Sequence, residues 1–399
     1  MRVSPATIIL AAMSKVDLIA TAAFGLEASV AYELKQLGYD DQHVEPGRVT
    51  FRAEIGGIAR ANMFLRVADR VQLRVGEFPA RTFDELFDGV KALPWGDWLA
   101  EDAVFPVDGK SVKSTLTSVP AVQGVVKKAI AEALATRYGR AISPETGARA
   151  KILVALLEDV ATLTIDTSGE GLHKRGYRPH TAAAPLKETL AAGLISLARW
   201  FPDRPFADPF CGSGTLPLEA AMIALKIAPG KLRRFDAEGW PAIHERHWRN
   251  ARREALEGES RANEIEIAGS DIDPGVLNLA RRSADVLGLG RRLRFEQVPV
   301  KDFKPVGEYG FVVTNPPYGE RLGESHEVEA MYHELGLAMQ AAPTWSVYVL
   351  TANERFERPF GRVAAKKRKL FNGGIRCDLY AYPGPRRPRV VTDLGQQPD

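Results

Sequence analysis

The run Tyr309-Gly310-Phe311-Val312-Val313, leading directly into Thr314-Asn315-Pro316-Pro317-Tyr318-Gly319, constrains the fold of this chain more than any other stretch. An apolar run bounded by Gly and Pro reads as a buried strand of a parallel sheet. The residues after it then sit outside a carboxyl end of the sheet, where open α/β folds bind ligands. Two consecutive prolines fix the backbone, remove two N–H donors and leave carbonyls as acceptors. Asn315 adds a neutral acceptor, and Tyr318 adds a flat ring on which a planar group can stack. The combination suits holding a planar amine by its N–H groups beside an electrophile. Asn-Pro-Pro is also a good turn sequence, so a second signal is needed.

That signal lies upstream. Pro205 to Phe210 reads as a short strand, Cys211-Gly212-Ser213-Gly214-Thr215 as a glycine-rich turn, and Leu216 to Leu225 as an apolar helix with Pro217 tolerable in its first turn. Gly212 and Gly214 let the backbone approach a ligand, and the helix start offers unpaired N–H groups. The pattern is neither the six-residue dinucleotide fingerprint nor a phosphate loop with its Lys, which counts against a dehydrogenase or a nucleotidase. Asp208, ahead of the glycines, would repel a pyrophosphate but suits a ligand carrying an ammonium and a sulfonium.

A third unit follows at the spacing of a doubly wound sheet. Ile265 to Ser270 reads as a strand ending in Asp271-Ile272-Asp273-Pro274. Asp271 is assigned to the two hydroxyls of a ribose and Asp273 to capping the next helix. Leu293 to Glu296 gives a further strand; Asp302 beyond it is expected to accept from an adenine amino group, with an exposed loop Asp as the alternative.

In this order the elements resemble class I S-adenosylmethionine-dependent methyltransferases of the amino-methylating type. More narrowly, the chain resembles bacterial THUMP-domain enzymes that make N2-methylguanosine in 23S ribosomal RNA, as a counterpart of the first half of the bifunctional large-subunit enzyme. The resemblance is carried by Leu172 to Arg178, Ala184 to Ala191, Asp208 to Thr215, Gly269 to Pro274, and Asn315 to Gly323 (NPPYGERLG). It implies a Rossmann-like class I methyltransferase domain with a seven-stranded, mostly parallel sheet, α/β in class, preceded by an α+β ferredoxin-like and THUMP RNA-binding region. It implies S-adenosylmethionine contact by Asp208, Pro209, Phe210, Cys211, Gly212, Ser213, Gly214, Thr215, Asp271, Ile272, Asp302 and Asn315. Asn315, Pro316, Pro317 and Tyr318 would be catalytic, and Lys113, Lys127, Lys128, Lys174, Arg175, Arg178 and Arg321 would contact RNA.

The front half reads as two α+β modules. Residues 16–70 give a ferredoxin-like β-α-β-α-β order, and residues 71–166 resemble the THUMP domain, with a long helix over Pro120 to Tyr138 and paired strands Lys151 to Leu157 and Val160 to Asp166. Residues 167–184 form a connector, 185–383 the methyltransferase domain and 384–399 a basic tail. Residues 1–15 read as a loose extension, too brief in its apolar patch for a signal peptide, with Met13 as an alternative start. Lys366 to Lys369 is expected as an edge strand paired through Asn372-Gly373-Gly374 with Ile375 to Tyr382.

At 399 residues the chain has length for two or more domains. Two cysteines, Cys211 and Cys377, exclude a disulfide scaffold and fit a reducing cytoplasm; no Cys/His spacing suggests a metal and no run approaches a membrane span. The net charge of +3 is slight, but Lys and Arg cluster at 70–81, 173–178, 231–234, 366–369 and 386–389, as phosphate contacts need, with solvated faces as the plain alternative.

The expected partner is ribosomal RNA, 23S or a large-subunit assembly intermediate, with its target guanine in a loop or flipped out of a helix. Asn315 Oδ1 and the Pro316 carbonyl would accept the two amine N–H groups, Tyr318 would stack on the base, and Phe210 or Phe371 would cover its other face. Rival targets are a tRNA guanine, a DNA base or a release-factor glutamine; a rival from another class is a non-catalytic RNA-binding ribosome-assembly factor.

Overall fold

The computed structural model describes residues 15–139, 144–178, 186–318 and 325–388. The chain divides into two compact units, the first holding residues 1–180, 187–193 and 222–263, the second 181–186, 194–221 and 264–399.

The first unit is built on one seven-stranded sheet in the order β2-β3-β1-β4-β7-β6-β5. Its strands are β1 (Val16–Thr21), β2 (Gln42–Glu45), β3 (Arg48–Ala53), β4 (Arg70–Pro79), β5 (Val107–Val112), β6 (Ile152–Leu157) and β7 (Val160–Asp166). The two modules expected from the sequence therefore share a sheet. The strand that joins them is β4, whose ten residues pair with β1 on one edge and with β7 on the other. The β4–β7 pairing carries a register shift between Arg74 and Gly76. The long helix Val119–Tyr138 ends in Gly139 at φ +72, a left-handed cap that glycine adopts without steric cost.

Residues 222–263 cluster by contact with the first unit. Arginines hold them there. Arg66 donates to the Ile227 carbonyl at 2.6 Å and Arg60 grips Glu254 through Nε and Nη2 at 2.7 to 2.9 Å, while within the segment Phe235 stacks on Trp248.

The second unit carries a sheet in the order β10-β9-β8-β11-β12-β14-β13. These are β8 (Phe206–Asp208), β9 (Ile267–Asp271), β10 (Arg294–Gln297), β11 (Phe311–Thr314), β12 (Ser346–Thr351), β13 (Lys366–Asn372) and β14 (Ile375–Tyr382). Strands β8 to β12 are parallel, while β14 runs antiparallel to β12 and β13 antiparallel to β14. The expected seven-stranded, mostly parallel sheet is present. Its chain winds from β8 outward to β10, then returns to β11 on the other side of β8. The crevice between β8 and β11 is therefore the topological switch point at which such sheets take ligands.

The core on one face joins Val312, Val347 and Val349 of the sheet to Val328, Tyr332, Leu335 and Met339 of the helix Ser325–Gln340 and to Phe356 and Phe360. That helix approaches the Phe360 backbone through Gly336, where an added Cβ would lie 2.3 Å from the Phe360 carbonyl oxygen. Replacing a helical Gly by Ala ordinarily stabilises by up to about 1 kcal/mol. Here the contact is backbone, which cannot rotate away, so Gly336→Ala is expected to destabilise by about 1–3 kcal/mol. Urea unfolding would show it; a midpoint raised by the substitution would contradict the packing described.

Candidate active site

The turns that follow β8, β9 and β11 meet around one cavity of about 710 Å³ within the second unit. Pro209, Phe210 and Gly212 line it from the glycine-rich turn, Asp271 and Ile272 from the end of β9, and Asn315, Pro316, Pro317 and Tyr318 from the end of β11. These are residues the sequence singled out on three separate segments, brought together because parallel strands deliver their carboxyl ends to one edge.

The glycine-rich turn is held from below. The Cys211 N–H donates to the Ser270 carbonyl at 2.9 Å, and the Gly214 N–H closes the turn on the Cys211 carbonyl at 2.8 Å. Gly214 stands at φ +81, and a Cβ there would meet Ala280 at 2.8 Å and the Phe295 ring at about 3.0 Å, so only glycine fits. Gly212, at φ +51, has open space where a Cβ would stand, and its N–H donates to Asp271 Oδ2 at 2.9 Å. The other oxygen of Asp271 accepts the Asp273 N–H at 3.0 Å, and Asp273 caps the helix Pro274–Val286 through the Gly275 N–H at 2.7 Å. Both carboxylate oxygens of Asp271 keep a further lone pair. Beside it the Ile272 side chain is 70% exposed and, with Val298, Pro299 and Val300, walls an apolar slot.

Asp208 sits differently from the expectation. It is 2% exposed and does not line the cavity; its Oδ1 accepts the Thr314 hydroxyl at 2.6 Å and the Phe210 N–H at 3.1 Å. The carboxyl ties the end of β8 to the end of β11 rather than presenting charge to a ligand. Burial pushes its pKa up from 3.8 to about 7, against the pull of those two donors. Between about pH 4 and pH 7 the unfolded chain releases this proton and the folded chain keeps it, so Asp208 makes stability fall as pH rises through that window. Asp208→Asn retains both bonds at Oδ1 and removes the titration. Urea unfolding should show the variant gaining on the parent between about pH 4 and pH 7, by up to about 1.4 kcal/mol per pH unit, and levelling off above; parallel stability profiles would contradict this.

Cys211, Ser213, Gly214 and Thr215 likewise build the turn without lining the cavity. Burial raises the Cys211 thiol well above its ordinary value, so it stays protonated. Asp302 does not line this cavity. It ends the 3-10 turn Val300–Asp302, whose tight winding sends Val300 into the core and the exposed Asp302 to a separate hollow lined by Pro205, Ala268 and Trp345.

At the end of β11 the Tyr318 hydroxyl donates to Asn315 Oδ1 and accepts from Asn372 Nδ2 at 3.2 Å. The Pro317 carbonyl accepts the Tyr332 hydroxyl at 2.7 Å, which anchors the loop to the helix behind it. Tyr332 also bonds Thr351 at 3.0 Å. Lys301, Met331, Glu334 and Asn372 complete the lining and were not foreseen. Met331 and Glu334 stand three apart on one helix, and in the sequence Asn372 signals only a turn.

The expected RNA contacts divide. Arg175 is 2% exposed and spends its guanidinium on the Leu172 and Arg66 carbonyls, which removes it from any RNA-facing surface. Arg178 pairs with Glu188 at 3.2 Å, both largely buried. Lys127 donates to Glu145 and to the Phe105 carbonyl and lies 3.6 Å from the Phe105 ring centre. Lys113, Lys128 and Lys174 are exposed or nearly so, with Lys174 paired to Glu170 at 2.8 Å. Arg321 lies outside the described residues. Phe371, offered as a cover for the base, does not line the cavity. Among the described residues there is no group of three or more side chains suited to a metal, and no helix is long and apolar enough to cross a membrane.

Residues 175–381 match the family model described as RMKL-like, methyltransferase domain; residues 17–72 match an RlmL ferredoxin-like domain and residues 80–166 a THUMP domain. The chain is 51% identical over 379 residues to the Bacillus subtilis (strain 168) protein named "Putative RNA methyltransferase YpsC", covering 94% of this chain and 98% of that one. It is 35% identical to the Methylococcus capsulatus protein named "Ribosomal RNA large subunit methyltransferase K/L", covering 92% of this chain and 51% of that one, so it spans about half the length of that relative. A crystal structure of SMU.472, described as a putative methyltransferase complexed with SAH, superposes with a TM-score of 0.89 at 46% identity, covering 94% of this chain and 99% of that one.

Proposed function

This chain belongs to the RMKL-like methyltransferase family, and from that premise we propose that it transfers a methyl group from S-adenosylmethionine to the exocyclic N2 amine of a guanine in 23S ribosomal RNA. The family and the related structure with SAH make S-adenosylmethionine the cofactor, and the THUMP domain together with the K/L relative makes RNA the substrate. The guanine, its N2 and the 23S molecule are the finer part of the proposal.

The residues present fit the cofactor. Asp271 retains lone pairs for ribose hydroxyls, the slot beside Ile272 is apolar and open enough for a flat adenine, and Gly212 leaves its backbone uncovered. When bound, S-adenosylmethionine supplies a methyl group on a cationic sulfur that leaves with the S–C electron pair.

What the protein adds is placement. The exocyclic amine of guanine is a poor nucleophile because its lone pair is delocalised into the ring. Asn315 Oδ1 and the Pro316 carbonyl accept its two N–H groups and turn the remaining electron density toward the methyl. The Pro317 carbonyl accepts the Tyr332 hydroxyl, which holds the loop in place behind the two acceptors. Asn315 is no base at neutral pH, so the proton leaves to water after transfer. Catalysis then comes from orientation and removal of water rather than from a strong base. Tyr318 presents a ring face for stacking, worth about 1–3 kcal/mol per base. RNA phosphates are met by Lys113, Lys128 and Lys174.

The observation that carries this reading is the convergence of Asn315, Pro316 and Tyr318 with Asp271 and Gly212 on a single cavity. Methylation assays offering 23S rRNA, tRNA, DNA and release factor side by side, followed by nucleoside mass analysis, test it. N2-methylguanosine in rRNA is expected; a methyl on adenine, on DNA or on a glutamine side chain would replace it.

A further inference from the structure

The acceptor on which the proposed function depends belongs to an amide, and an amide can face its ligand with oxygen or with nitrogen. Only the oxygen can accept from a target amine. The neighbour decides between them. The Tyr318 hydroxyl donates to Asn315, and it can do so only when Asn315 presents Oδ1. A phenolic hydroxyl has one proton to give. Its direction is set by what its oxygen already receives, and that is the N–H of Asn372 Nδ2 at 3.2 Å.

The competing acceptor does not divert that proton. The Cys377 thiol lies beside the Tyr318 hydroxyl, but sulfur is a weak acceptor and its own S–H points to the Ile375 carbonyl at 3.7 Å. Burial, with Cys377 beside it, pushes the Tyr318 hydroxyl well above its ordinary pKa, so it remains an O–H donor. Asn372 is itself held in register. It closes β13 opposite Ile375 across the Gly373-Gly374 turn, where Gly373 takes φ +62. That register places the Asn372 side chain beside the Tyr318 hydroxyl.

We propose that Asn372 is a positioning residue: its side-chain N–H sets the direction of a hydrogen-bond chain from Asn372 through Tyr318 to Asn315 and thereby holds the Asn315 amide with its oxygen available to the target amine. The catalytic consequence rests on the amine-acceptor reading above, whereas the direction of the chain does not. Tyr318 then has two separable parts, a ring for the base and a hydroxyl for Asn315. One lone pair of Asn315 Oδ1 is taken by Tyr318 and the second remains for the amine.

The isosteric substitution Asn372→Asp reverses the chain while preserving shape, because a carboxylate only accepts and draws the Tyr318 proton toward itself. With rRNA as substrate, Asn372→Asp and Tyr318→Phe are each expected to lower kcat about tenfold while KM stays within about twofold. In the Tyr318→Phe background, Asn372→Asp is expected to add less than about twofold, since the group through which it acts is gone. A new charge acting directly on the site, or a packing defect, would persist in that background and multiply to about a hundredfold, which would overturn the inference. A second arm needs no substrate. The side-chain amide resonance of Asn315 in isotope-labelled protein should move in both single variants and move no further in the double one. If the parent protein methylates no RNA guanine the proposed function fails, and the resonance still decides the chain. An Asn315 signal unmoved by Asn372→Asp overturns it.

Discussion

Asn315→Ala is expected to lower kcat by about a hundredfold to a thousandfold while leaving the dissociation constant for S-adenosylhomocysteine within about threefold of the parent, the loss seen when one preorganised polar group is removed from a reacting centre. The asymmetry follows from where Asn315 stands. Its side chain belongs to the turn at the end of β11, whereas the slot beside Ile272 and the carboxylate of Asp271 belong to the end of β9. Removing the amide deletes an acceptor for the target and nothing proposed for the nucleoside. It also frees the Tyr318 hydroxyl, which retains Asn372 as a partner, so the loop keeps most of its support. Single-turnover kinetics with calorimetry on the same preparation separates the two quantities. Equal losses in binding and turnover would instead make Asn315 chiefly a ligand-binding or structural residue.

Asp271→Ala is expected to do the reverse. Two ribose hydroxyls bonded to a carboxylate are each worth about 1.5–3 kcal/mol. Allowing for water that enters in place of the side chain, cofactor affinity should weaken about ten- to a hundredfold or more. Asp271 also accepts the Gly212 and Asp273 N–H groups, so the alanine variant will lose some stability as well. Asp271→Asn keeps one acceptor oxygen and the shape, and should fall between the parent and the alanine variant in calorimetry. A folded alanine variant that binds S-adenosylhomocysteine like the parent would remove Asp271 from the site.

Much of the second unit was legible in the sequence because its signals are local. An apolar strand, a glycine turn and an apolar helix follow one another within a few residues at Phe206 to Ala224, and the acidic end of β9 and the proline-rich end of β11 need no distant partner to be recognised. The hairpin β13–β14 was readable from Asn372-Gly373-Gly374 for the same reason. What could not be read depends on long-range register or on the fate of single charges. The polar strand β2 carries no apolar alternation, and the sharing of β4 between β1 and β7 is a property of the assembled sheet. Arg175 and Lys127 look like surface cations until the carbonyls that receive them are in place. For Asp302 a single 3-10 turn decides which of Val300 and Asp302 faces inward, and no local signal separates the two. Glu334 and Asn372 reach the cavity from a helix and a hairpin distant in sequence, and nothing in their own neighbourhoods announces it.

The most direct test of the whole account is mass mapping of 23S ribosomal RNA from a strain lacking this protein, repeated after returning either the parent gene or one carrying Asn315→Ala. One guanine-containing fragment should lose a single methyl group in the deletion, regain it with the parent, and remain bare with the variant. Ribosomal RNA that is fully methylated without the protein, or a missing methyl that maps to another base or another RNA, would contradict it.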